Sequence, residues 1–310
     1  MILFVVCLMI MGMQSVKAQN AKIILHHQGT VSFFTANNIQ AALDASVDGD
    51  TIYLNEGEFP GDLTVSKDIS IIGCGDWKSI INGNLTLAIK GNITHSIEGI
   101  YITGNLTVTE ESKGLTLRKC VFYRIYFDKF TNDAVIERCW GSFLLSSNVG
   151  GLYVSNSRIA QIEGDAPAAE NAVFNNCNIG NLFNRWYTYG NSSVERATYR
   201  NCIIGSWSDN HHDVTTVYIN CLCGQNLYVN SEDHNCWTLA NIVDDNYNVT
   251  ISVEELAEKD YLGTDGTIVG MYGGETPFSL QTTVPKITDY SSTVDPKTKK
   301  VTVNLKVANQ

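Results

Sequence analysis

Basic residues are scarce and nowhere gathered: the 310-residue chain carries 21 Lys and Arg against 32 Asp and Glu, a formal charge of -11. Nucleic acid and anionic lipid are held through concentrated Lys and Arg, so the absence of any basic patch excludes both partner classes. Strong helix formers are also in short supply, while Asn, Gly, Thr and aromatic residues are plentiful, which favours short strands and tight turns over helical layers. Long apolar runs are missing with one exception, Ile2 to Met13. A run of about twelve falls short of the roughly 18 to 20 residues that cross a bilayer. Followed by Val16-Lys17-Ala18, with a small residue at the cut, it reads as a secretory signal over residues 1–18, removed before Gln19. No Lys or Arg precedes the run, which would place the true start upstream of Met1. Cleavage removes only Lys17 among charged side chains, leaving 20 basic and 32 acidic residues, a balance of -12. The mature chain is expected to have no transmembrane segment and to be secreted, periplasmic or attached to the cell envelope.

A repeat organises the rest. Cys120 and Cys139 are 19 residues apart, as are Cys202 and Cys221, and with Ser157 and Cys177 as further anchors the steps are 19, 18, 20, 25 and 19. Three positions before the anchors stand Leu117, Ile136, Val154, Phe174, Tyr199 and Tyr218; five before stand Leu115, Ala134, Leu152, Ala172, Ala197 and Thr216. Spacing by two is strand spacing, so both columns face one side of a strand. Five positions after the anchors come Ile125, Leu144, Ile162, Leu182, Trp207 and Asn226. Coils of about 19 residues, each stacked about 4.8 Å above the last, would bury these columns in one interior. Immediately before the anchors lie Lys119, Arg138, Asn156, Asn176, Asn201 and Asn220. Asn tolerates the left-handed backbone of a sharp corner, and stacked Asn side chains can bond to one another. Asn235-Cys236 repeats the pair only 15 residues after Cys221 and without apolar residues before it, which places it outside the register.

Upstream, Ile97 and Ile100 fall at strand and anchor positions, and I-S-I-I-G-C-G at 69–75 reads as an earlier coil. The best helix is N-N-I-Q-A-A-L-D-A at 37–45, with Asn37 or Asn38 as its cap and Ile39, Ala42 and Leu43 on one face. It would cover the open end of the stack, which otherwise exposes core and unpaired strand edges. The expected division is residues 1–18 signal, 19–278 parallel β-helix with an N-terminal cap, and 279–310 a β tail in which Val301, Val303, Leu305 and Val307 alternate with polar residues.

Residues 39–59, I-Q-A-A-L-D-A-S-V-D-G-D-T-I-Y-L-N-E-G-E-F, followed by V-S-K-D-I-S-I-I-G-C-G at 65–75, resemble the opening segment of pectin-lyase-like right-handed parallel β-helices. L-G-T-D-G-T-I-V-G-M-Y-G-G-E-T-P-F at 262–278 with V-P-K-I at 284–287 resembles the closing segment of secreted β-helix proteins of Bacteroidetes type. The resemblance implies an all-β right-handed solenoid. It does not imply one activity, because the superfamily includes lyases, hydrolases, esterases and adhesins. The motif sets of polygalacturonases, pectate lyases and pectin methylesterases are missing, and Asp244-Asp245 is a pair without companions.

The unusual chemistry gathers between the fifth position after one anchor and the fifth before the next, which would stack along one edge: Glu163, Asp165 and Glu170, then 184–196, 208–213 and 230–235. Arg185, Trp186, Tyr187 and Tyr189 are the candidate ligand-binding residues, since aromatic faces stack on sugar rings and Arg meets acidic sugars. Asp209, His211 and Asp213, with His212 beside them, and Glu232 and Asp233, with His234, are the candidate proton-transfer groups. A solvated polar turn explains the same residues, and adjacent His residues on a strand face opposite ways, so no metal site is assigned. No Ca2+ motif accompanies them, Cys221-Leu222-Cys223 lacks zinc spacing, and no cofactor is expected. Eight cysteines remain after cleavage; those in equivalent positions of adjacent coils would stack with parallel side chains, so mainly buried thiols rather than disulfides are expected. Three functions fit: a non-catalytic β-helix binding glycan along its decorated edge, a polysaccharide lyase or glycosidase of unfamiliar subtype, or a structural surface module. The oligomeric state is not legible.

Overall fold

The computed structural model describes residues 22–145, 148–164, 171–184, 197–207, 216–224, 235–282, 286–294 and 301–308. Strands of about three residues with one or two inward side chains cannot bury a face singly, and the chain solves this by winding. From Thr51–Leu54 to Val217–Ile219, nine strands form the parallel part of an 11-stranded sheet. The other two, Ile23–His27 and Thr30–Phe34, pair antiparallel at its N-terminal end. A second sheet of 12 strands runs from Gly57–Pro60 to Trp237–Thr238, and a third holds four short strands from Gly91–Asn92 to Val149–Gly150. The architecture is the expected all-β right-handed parallel β-helix. Register places Ile52, Ile71, Ile97, Leu117, Ile136, Val154, Phe174, Tyr199 and Tyr218 in one inward column. The rings of Phe174, Tyr199 and Tyr218 stack at 5.1 and 5.4 Å.

One column differs from expectation. Phe143, not Leu144, aligns with Ile125 and Ile162. The strand from Trp140 has one residue fewer than its neighbour before that point, where Val121 pairs with Trp140 but Arg124 with Ser142. A one-residue slip exchanges faces, so Phe143 enters the core. Of the same column, Asn226 lies outside the described residues.

The N-terminal end is closed as the sequence implied. Helix α1, Ile39–Ala45, buries Ile39, Ala42 and Leu43, although neither Asn37 nor Asn38 donates a side chain to its start: Asn38 occupies the cap position without a cap hydrogen bond. At the other terminus, Lys286–Val294 and Val301–Ala308 form an antiparallel hairpin.

The anchor column has a polar logic. At Lys119 the backbone turns left-handed (φ 52°), as it does at Arg138, Asn156, Asn176, Asn201 and Asn220. The N–H groups of Lys119 and Val121 bond to the main chain of adjacent coils, whereas that of Cys120 points inward to Cys139 Sγ at 3.4 Å. The Cys139 N–H donates to Ser157 Oγ (3.1 Å), Cys177 to Cys202 Sγ (3.4 Å) and Cys221 to Cys236 Sγ (3.4 Å). Each of these side chains from Cys120 to Cys221 donates back to the carbonyl two residues earlier, at 2.8 Å for Ser157 and 3.2 Å for Cys202. A buried N–H left without a partner costs about 1 to 3 kcal/mol, so the column demands a small side chain that both accepts and donates. Cys and Ser meet that demand, and all eight described cysteines are thiols. Burial pushes the thiols of Cys139, Cys202 and Cys221 well above their ordinary range. The same contacts correct the exclusion of Asn235-Cys236: Asn235 is left-handed (φ 52°), Cys236 sits over Cys221, and Trp237 pairs with Leu222. The segment before Asn235, 225–234, lies outside the described residues.

Nor do the corner Asn side chains chiefly bond to one another. After Thr238 the winding stops, and Leu262–Thr282 runs back along the corner as a strap. Asn220 donates to Leu262 O (3.0 Å), Asn201 exchanges bonds with Thr264, and Asn156 donates to Met271 O and Gly273 O at 3.3 and 2.7 Å. The strap ends on the first coils, where Gln281 bridges Gly75. At Gly99 (φ 68°), the equivalent corner, a Cβ would stand 2.4 Å from Thr282, so only glycine lets the strap seat.

Two consequences can be measured by urea unfolding. Cys202→Ala removes an acceptor for the Cys177 N–H and is expected to cost about 1 to 3 kcal/mol, Cys202→Ser distinctly less; equal losses would show that volume alone matters. At the corner, Asn156→Ala is expected to cost about 1 kcal/mol more than Asn156→Gly, because both lose the strap bonds while only Ala strains the left-handed backbone.

Candidate functional site

The strap covers the upper coils and leaves the outer face of the second sheet open lower down. There the strands Tyr101–Val108, Val121–Phe127, Trp140–Leu145 and Arg158–Gly164 turn alternate residues outward. Tyr101, Val121, Trp140 and Arg158 share one column. Trp77, in the turn before Ser79–Asn82 and 39% exposed, meets the rings of Tyr101 and Trp140 edge-on at 4.7 and 5.0 Å. The Arg158 guanidinium lies 4.1 Å over Trp140. The two indoles and the phenol form one edge-packed aromatic cluster that bridges the coil of Val121 and carries polar tips.

Beside it the register breaks. Between the Val121–Trp140 and Arg124–Ser142 pairs the lower strand has an extra residue, and Tyr123 is thrust out to 66% exposure. The upper strand stays tight because Gly141 leaves room for Phe122, whose ring would be 2.3 Å from a Cβ there.

Arg124, next along, reaches up two coils to Glu163, with Nη2 donating to Oε1 at 2.6 Å; the two side chains are only 17% and 9% exposed. Its other nitrogen Nη1 donates to Tyr126 Oη at 3.4 Å. Arg124 Nε and, on the adjacent coil, Asn105 Oδ1 are buried without hydrogen-bond partners. Glu163, grouped by sequence with a solvated edge, is thus half of a sheltered ion pair. Sequence reading missed Arg124 as a site residue because its partner is 39 residues away and the bulge that aims it leaves no composition signal.

The nine candidate residues of the edge, Arg185, Trp186, Tyr187, Tyr189, Asp209, His211, Asp213, Glu232 and Asp233, lie outside the described residues, as do Asp165, Glu170, His212 and His234. The last described residues before those segments are Gly164, Asn184, Trp207 and Gly224, at or next to the ends of second-sheet strands. Asp244 is a turn-former: its carboxylate accepts from the Asn248 side chain and amide and from the Asn246 amide, which hold its pKa below the ordinary carboxylate value. Among the described residues no group of three His, Cys, Asp or Glu could hold a metal ion, and no helix is long and apolar enough to cross a membrane.

The chain is similar to the crystal structure of the pectin methylesterase from Aspergillus niger, with 15% identity, a TM-score of 0.38, and coverage of 76% of this chain and 95% of that one. No protein-family model matches the chain, and no curated protein does. A likeness of that extent has no bearing on activity, and the fold stands on the strand ladders themselves.

Glu163→Gln leaves the Arg124 guanidinium sheltered without a carboxylate, and is expected to lower stability by about 2 to 3 kcal/mol. The Arg124→Met/Glu163→Leu double variant should recover most of that loss in thermal unfolding. A loss under about 0.5 kcal/mol for Glu163→Gln would assign the pair the energetics of a surface contact.

Proposed function

We propose that the protein is a secreted or cell-envelope β-helix that binds glycan across the outer face of its second sheet, together with the loop-decorated edge expected from the sequence. One observation carries this reading: Trp77 bridges the rings of Tyr101 and Trp140, which stand two coils apart, with Tyr123 projecting beside them. Aromatic faces bury the apolar faces of sugar rings while leaving the hydroxyls to polar neighbours, and exposed rings at neighbouring positions form a patch rather than scattered surface residues. Arg158 and the Arg124–Glu163 pair supply charge and hydrogen bonds at its margin. In this reading the sequence-expected edge residues Trp186 and Tyr187 are further glycan contacts.

The test is retention of the purified protein on a panel of acidic and neutral polysaccharides, with and without Ca2+. Trp140→Ala and Tyr123→Ala are expected to weaken retention at least tenfold, about 1.4 kcal/mol or more, with the fold intact by circular dichroism. Unchanged retention would remove the face from the site. New unsaturated or reducing ends would replace the binding reading with the lyase or glycosidase one. Failure to retain any polysaccharide would favour the structural module.

A further inference from the structure

Where the returning chain crosses the upper coils, it leaves a cavity of about 240 Å³ against the outer face of the second sheet. Its floor is three successive coils in register, Arg158, Asn178 and Ile203, so it grades from charge through amide to hydrocarbon over two steps of about 4.8 Å. Its far walls are aliphatic, with buried Leu256 from helix α2 (Val253–Glu258) and buried Val269 from the strap.

Arg158 is fixed at the polar end. Trp140 lies beneath its guanidinium, and Nη2 donates to Asn248 Oδ1, the Asn248 side chain being held in turn by Asp244. Among the described residues no carboxylate forms an ion pair with it. A guanidinium offers five N–H donors in a fixed fork, and a carboxylate is the group that matches the fork. At the opposite end a ligand with hydroxyls would leave them facing Ile203, Leu256 and Val269 without partners, at a cost of about 1 to 3 kcal/mol each. An aliphatic-lined cavity of about 150 Å³ takes benzene, so this one suits roughly eight to twelve heavy atoms.

We propose that this cavity binds a medium-chain aliphatic carboxylate, its head on Arg158 and its chain running past Asn178 to Ile203 under Leu256 and Val269. The two-coil span of roughly 10 Å is the reach of an extended chain of about seven or eight carbons. Arg158 also borders the proposed glycan face through Trp140, so the probes contain no sugar and their binding is read separately from polysaccharide retention.

Octanoate is the probe, with 1-octanol and octylammonium as controls, titrated calorimetrically into the full chain. Octanoate is expected to bind with a Kd of about 1 mM or tighter, 1-octanol at least tenfold more weakly and octylammonium more weakly still. Arg158→Gln should weaken octanoate at least tenfold and leave 1-octanol unchanged. Arg158→Lys, which keeps the charge without the fork, should fall between, and serves if the Gln variant fails to fold. Val253→Trp, at a half-exposed rim position, should block both ligands without lowering the melting temperature. Equal affinity for octanoate and 1-octanol overturns the proposal. Octanoate binding that survives both the Arg158 and Val253 substitutions, or no octanoate binding to the unsubstituted chain at about 10 mM, overturns it equally.

Discussion

Side chains of the stacked strands stand on their equivalents about 4.8 Å away, and that constraint decides what each column can hold. Aliphatic residues satisfy it by contact alone. Rings satisfy it by stacking, as Phe174, Tyr199 and Tyr218 do. The hard position is the residue after each left-handed corner, whose N–H is turned into a dry core. A repeating Cys, with one Ser, answers it because the side chain that fills the space also accepts the N–H from the coil below. The anchor thiols are therefore hydrogen-bonding parts of the backbone, which fits their exclusion from disulfides: an S–S bond would withdraw two sulfurs from two separate ladder contacts.

The corner itself raises the opposite problem, a ridge of left-handed residues facing outward. The strap resolves it by reversing along the ridge and taking its carbonyls and amides to Asn156, Asn178, Asn201 and Asn220. A solenoid has mostly nearest-neighbour contacts, so its coils can fray from an end one at a time. Contacts between residues more than a hundred positions apart, such as Asn156 with Gly273 or Gly73 with Thr282, tie early coils to the chain's last turn and oppose that fraying.

Much of this was legible because stacking writes itself as periodicity. Ile97, Leu117 and Ile136 could be aligned by counting, and the left-handed corner followed from Asn chemistry. What escaped counting were departures from the count. Phe143 replaced Leu144 where a coil ran one residue short, and Asn235-Cys236 was discarded because it follows Cys221 by only 15 residues without the apolar spacing of the other coils. The partner of the Asn ridge was invisible for a different reason: a hydrogen bond across 115 residues leaves no trace in local spacing. The Arg124–Glu163 pair is of the same kind, and its site lies on the sheet, whereas composition drew attention to the segments beyond it.

The returning chain from Ile242 onward, of which the strap is the later part, also divides the outer face of the second sheet by chemistry. Where it lies down, the facing column is Ile203 and Leu222, and glycines at 180 and 205 admit the main chain of Tyr247 and the side chain of Val243 so closely that a Cβ would stand 2.0 Å from either. Where it is absent, the same column reads Tyr101, Val121, Trp140 and Arg158, residues with both an apolar body and, in three of the four, a polar end. A sheet face covered by its own chain can be hydrocarbon; one left to water must tolerate water, and aromatic rings with polar tips tolerate it while remaining adhesive. The change from aliphatic to aromatic along a single column thus marks where the protein stops packing on itself, and Arg158, stacked on the last open ring and lining the first covered cavity, stands at the boundary.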